Sequence, residues 1–163
     1  MARRIVVGGI VSALLVATAV APAAASFTKK PACDLVAEDT VEAAFGVAPT
    51  TTTPQDEAGK FTTCTWILPS DSAPGDTDIA FVGMNKPNKL AKKDFKAKNK
   101  SDAAEKVPGI KKGFYLSEDN AGTVTFIKNG NFVNVQYLGD SPEEVETNKD
   151  ALFDLATGLY DDL

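Results

Sequence analysis

Residues 123–137 read TVTFIKNGNFVNVQY. β-branched and aromatic residues alternate with polar ones on both sides of Asn129-Gly130. That pair suits a two-residue hairpin turn, which needs positive φ at both central positions. Val124 and Phe126, then Val133, Val135 and Tyr137, mark the inward faces of two antiparallel strands. Ser141-Pro142-Glu143-Glu144 follows directly. An N-cap serine, a proline at the first helical position and a glutamate three residues after the serine form a capping box. Val145, Leu152, Leu155, Ala156 and Leu159 then run as one helical stripe to the C-terminus. A hairpin with one apolar face and a helix to cover it imply a two-layer α+β domain.

The same alternation extends outward from this hairpin. Phe61–Leu68 reads as a strand with Cys64, Trp66 and Leu68 on one side, and residues 77–85 as the next, joined through a Pro/Gly/Asp-rich loop at 69–76. Gly113–Glu118 reads as a short strand and 119–122 as a turn. A helix is predicted over Leu35–Phe45, stopped by Gly46, with Asp34, Glu38 and Asp39 at its positive end. Residues 47–60, with Pro49, Thr50–Thr53, Pro54 and Gly59, read as an exposed loop. A lysine-rich helix is predicted over 88–98, with Leu90 and Phe95 turned inward. A further helical turn is predicted over 101–107, capped by Ser101. The expected architecture is one antiparallel sheet of about five strands, with N- and C-terminal helices packed on one face and one disulfide.

The N-terminus has the order of a secretory signal: Arg3-Arg4, an apolar run over 5–20, then Pro22 and Ala23-Ala24-Ala25. The run is short and Gly/Ala-rich for a membrane span of ~20 residues. Cleavage near residue 25 is expected, then a disordered lead over 26–32 and a single domain over 33–163. A retained anchor helix and a twin-arginine signal are the alternatives. Cys33 follows Lys29-Lys30-Pro31-Ala32, a poor lipid-attachment context. Arg3 and Arg4 are the only charges before residue 26, so the remainder carries 15 basic and 22 acidic residues. Nucleic-acid binding is not expected on that balance. Outside the cytoplasm, two cysteines without C-x-x-C spacing point to a Cys33–Cys64 disulfide rather than redox thiols.

Histidine is absent from the chain. This excludes Ser-His-Asp and Cys-His catalysis, and with both thiols bridged it removes the common zinc ligand sets. Ser26-x-x-Lys29 matches a penicillin-binding S-x-x-K only formally, without the partner motifs. No catalytic residue, cofactor or metal ligand is assigned. Asp71, Asp76 and Asp78 could supply oxygens to Ca²⁺, but their spacing is not that of an EF-hand and Asp is a normal turn residue. The candidate binding patch is Lys86, Lys89, Lys92, Lys93, Lys96, Lys98 and Lys100, opposed within that stretch only by Asp94. Such a patch suits an anionic envelope component or an acidic protein. The plainer reading is a solvated helix face.

Cys33-x-Leu35-Val36-x₄-Val41-x₃-Phe45-Gly46, Cys64-Thr65-Trp66 and Val107-Pro108-Gly109-Ile110 followed by Gly113-Phe114-Tyr115 together resemble a large family of actinobacterial secreted proteins and lipoproteins of unknown function. Ala37 stands where that family often has a helix-capping Thr, and Lys111-Lys112 interrupt its usual G-x-G. The resemblance implies an actinobacterial origin and a cell-envelope setting, and no activity. The expectation is a secreted, monomeric, non-enzymatic binding or accessory protein, extracellular or wall-associated, with no membrane span after cleavage. A carrier holding a lipid or small hydrophobe between sheet and helices is the second expectation. A histidine-free hydrolase is the third.

Overall fold

A computed structural model describes residues 30–57, 60–70 and 75–163. The signal segment 1–25, residues 26–29 of the lead, and Asp71 lie outside the described residues. Six strands form one antiparallel sheet: β1 (Thr51–Glu57), β2 (Phe61–Pro69), β3 (Thr77–Asn85), β4 (Gly113–Glu118), β5 (Ala121–Lys128) and β6 (Asn131–Leu138). Their spatial order is β1-β2-β3-β6-β5-β4. Asn129 and Gly130 both have positive φ, 50° and 81°, as the two-residue turn demands.

One face is sealed. Cys64, Trp66, Leu68, Ala80, Val82, Met84, Val124, Phe126, Val133, Val135 and Tyr137 point into it and are buried. Helices α1 (Ala32–Leu35), α2 (Glu38–Phe45), α4 (Pro142–Thr147) and α5 (Lys149–Asp162) cover it through Val41, Val145, Leu152, Leu155, Ala156 and Leu159. The terminal helices therefore pack on one side, as expected. Helix α3 (Lys89–Lys98) meets the opposite face, with Asn88 capping it by accepting from the Ala91 N–H at 2.8 Å.

The structure corrects several expectations. Part of the predicted loop 47–60 is the edge strand β1, giving six strands rather than five. Its residues are nearly all exposed, so no alternation betrays it, and Pro54 is tolerated because an edge strand has a free side. Ala32, placed in the disordered lead, opens α1 and is buried. Its N–H donates to Thr62 Oγ1 at 2.7 Å, and that hydroxyl in turn donates to Asp56. The N-terminal helix breaks at Val36, which turns extended and inward. Ser101 caps a turn, not a helix: its Oγ accepts from the Ala103 N–H, and Glu105 bridges Tyr115 instead. The C-terminal helix is two helices meeting at Asn148. Ser141 Oγ accepts from the Glu144 N–H at 3.2 Å as a cap should, but Glu144 Oε2 reaches the Asp140 N–H at 2.7 Å rather than that of Ser141.

Cys33 in α1 and Cys64 in β2 form the disulfide, with Cα atoms 5.1 Å apart and a sequence separation of 31. Closing such a loop restricts the unfolded chain by roughly 3–4 kcal/mol. Replacing both cysteines with serine should lower the unfolding free energy by about that amount in urea denaturation. A loss below ~1 kcal/mol would show that the unfolded chain gains little freedom when the bond is removed.

Candidate functional site

The outward-facing residues of the sheet are polar at some positions and apolar at others. Across the strands, Phe81, Gln136, Thr123 and Leu116 lie in register, and beside them Gly83, Asn134, Thr125 and Phe114. A Cβ on Gly83 would stand 2.8 Å from the Phe81 ring, so the glycine lets that ring lie flat along the strand. Phe95 is the only buried residue of α3. Its ring packs on Phe114 at 5.3 Å and on Phe132 at 6.0 Å between centroids. The helix is thus pinned at one point and stands off the rest of the sheet.

Between them lies an open groove of about 510 Å³. Ala91, Asp94, Phe95 and Lys98, spaced to share one helix face, form one wall. Phe81, Phe114, Leu116 and Phe132 give an apolar floor. Polar groups cross that floor in two bonded pairs: Thr125 donates to Asn134 Oδ1 at 2.9 Å, and Gln136 donates to Thr123 Oγ1 at 3.3 Å.

All seven lysines of the candidate patch are exposed, and among the described residues none forms an ion pair. Lys98 alone of them lines the groove; Lys89, Lys92, Lys93 and Lys96 belong to α3 without lining it. Leu90, expected to point inward, is 65% exposed, since the helix has only the Phe95 side to bury. Leu90 and Phe95 are five positions apart and fall on different sides of an α-helix.

A second group of residues gathers against α4 where β2 and β6 end and β3 begins. Carboxylate oxygens of Asp78, Asp140 and Glu144 lie within 4.8 Å of one another. Tyr137 donates to Asp78 Oδ2 at 2.6 Å, and Asn148 Nδ2 donates to the Tyr137 hydroxyl at 2.9 Å and to the Glu144 carbonyl at 3.1 Å. Ser70 donates to Asp140 Oδ2 at 3.0 Å. A cavity of about 50 Å³ adjoins Asp78, Tyr137 and Glu144. It has room for an ion or a water or two, but not for an organic substrate. Of the aspartates whose oxygens could serve Ca²⁺, Asp78 belongs here and Asp76 is exposed and outside the cluster, while Asp71 lies outside the described residues. Nothing local in the sequence marks Asp140, or Glu144 beyond its capping role, as a partner of Asp78, which they reach through the β3–β6 pairing.

No described helix is long and apolar enough to cross a membrane. Comparison of the chain with known protein families, with curated proteins and with solved structures finds no match in any of the three.

Burial pushes the Asp78 carboxyl up from 3.8 to about 6; the Tyr137 hydrogen bond opposes the rise, and Glu144 and Asp140 add to it. Burial and the Asp78 charge likewise hold the Tyr137 phenol protonated. A folded-state pKa above the unfolded one means that the native state binds the proton more tightly. The stabilisation is therefore complete below about pH 4 and is lost as pH rises through about 6. In EDTA, the melting temperature should rise as pH falls from 7 toward 5 by more than in Asp78→Asn. Equal slopes would remove Asp78 as the cause.

Proposed function

We propose that the chain is a non-enzymatic binding module of the cell exterior. Its ligand is a small amphiphile, with an apolar body in the groove beneath α3 and an anionic end toward Lys98. One observation carries the reading: an open, aromatic-floored groove of about 510 Å³ with a few convergent polar groups. Small-molecule sites fall in the range of roughly 300–1,000 Å³ and have that mixture. The four apolar floor residues take the apolar part, and Asn134 and Gln136 offer amide groups beside it. Asp94 and Glu118 also line the groove, but the seven lysines around α3 outnumber them and give that wall a positive field. The exterior setting draws on the signal-like N-terminus, the disulfide and the motif resemblance.

The carrier expectation thereby shifts from the sealed face to the open one, because the layer between the sheet and the terminal helices is filled by the core. A second reading has one observation in its favour. The seven lysines make no ion pair among the described residues, so α3 can dock an anionic polymer with the groove unused.

Amide NMR titration with dodecanoate and with dodecanol separates these readings. Shifts should appear at Thr123, Asn134 and Gln136. Ala91→Trp, which fills the groove from the helix side, should weaken binding at least ~10-fold by excluding the ligand. Lys98→Glu should weaken dodecanoate about 5-fold, the effect of one exposed charge pair, and leave dodecanol unchanged. Shifts confined to residues 86–100, equally produced by polyphosphate, would favour the polymer. No shift with either amphiphile would sink the groove reading.

A further inference from the structure

We propose that Asp78, Asp140 and Glu144 form a Ca²⁺ site, independent of the groove on the other face of the sheet. Their carboxylate oxygens converge within 4.8 Å from three separate places: the start of β3, the β6–α4 connection and the first turn of α4. None of the three forms an ion pair among the described residues. Clustered acids alone are common on surfaces, but this cluster has a buried member. Asp78 is 5% exposed, and its Oδ1 has no hydrogen-bond partner among the described residues. A buried, unsatisfied carboxylate oxygen is costly, and a cation held among the three carboxylates would satisfy it; Asp78 and Glu144, though not Asp140, also line a cavity of about 50 Å³.

The donor set selects the ion. All donors are hard oxygens, which suit Ca²⁺ or Mg²⁺ over the softer transition metals. Ca²⁺ accepts about six to eight oxygens in flexible geometry, whereas Mg²⁺ keeps several waters and is usually held by only one or two carboxylates. Three converging carboxylates therefore favour the larger ion. The carboxylates are also held in place before any ion arrives. Ser70 donates to Asp140 Oδ2, and Glu144 Oε2 accepts from the Asp140 N–H, leaving lone pairs free on both. Ser70 Oγ lies 3.0 Å from Asp140 Oδ2 and 3.4 Å from Glu144 Oε1, near enough to serve as a fourth oxygen.

The test is calorimetric titration of the chelator-treated full chain with CaCl₂ and with MgCl₂ at constant pH, with Tb³⁺ luminescence sensitised through Tyr137 as a local probe. One Ca²⁺ per chain is expected, with a dissociation constant of about 1 mM or tighter, together with a raised melting temperature. Asp140→Asn, at an exposed position, should keep the fold and weaken Ca²⁺ at least ~10-fold, as should Glu144→Gln. Tyr137→Phe should bind Ca²⁺ but lose most of the Tb³⁺ signal. Absence of Ca²⁺ binding at millimolar concentration would overturn the proposal. So would affinity unchanged by Asp140→Asn, or Mg²⁺ bound more tightly than Ca²⁺.

Discussion

The ladder between β3 and β6 holds the two halves of the molecule together. Ile79–Asn85 pairs antiparallel with Phe132–Leu138, joining the β1-β2-β3 half to the β4-β5-β6 meander. The chain between these strands carries α3 over the open face before β4 begins at the far edge. Such a pairing must overcome the closure entropy of a long intervening segment. It is stabilised by the inner side chains it brings together, including Val82 opposite Val135 and Ala80 opposite Tyr137. Both candidate sites straddle it. The groove floor takes Phe81 from one half and Asn134 and Gln136 from the other, and the acidic cluster takes Asp78 from one and Asp140 from the other.

The two faces of the sheet are treated differently. Four helices close the inner one and leave little room there. Among the described residues the outer one carries a single helix, held by a single phenylalanine between two others. Burial of one such ring is worth roughly 1.5–3 kcal/mol, little against the entropy of ordering a ten-residue helix. The lysines of α3 repel one another and add nothing to its adhesion. Helix α3 is accordingly the element with least to hold it, and elements that admit ligands are drawn from that end of the stability range.

Much of this architecture was legible in the sequence because its signals are local. The Asn129-Gly130 turn, the alternation through Cys64-Thr65-Trp66 and the Ser141-Pro142 helix start each need only a few neighbouring residues to be read. Strand β1 left no such trace, since neither of its faces is covered and its threonines and proline resemble a loop. The helix interruption falls at Asn148, whose side chain bonds Tyr137 on β6, a contact that local pattern does not announce. The acidic cluster was hidden for the same reason. Ser70, Asp78, Asp140 and Glu144 are ordinary turn or capping residues until the sheet brings them together. Of the lysine patch, sequence gave the helix and its charge, but the groove beside Lys98 depends on which outward residues the register aligns.

The Cys33–Cys64 bond also determines how the molecule carries a mechanical load. A pull on the chain ahead of Cys33 passes through the sulfurs directly into β2. Helix α2 and strand β1 lie inside the covalent loop and stay off the load path. Tension then reaches β3 from β2 across an antiparallel ladder running from Phe61–Asn85 to Pro69–Thr77. A stretched molecule would therefore resist through its central sheet, while the segment from residue 34 to residue 63 remained slack.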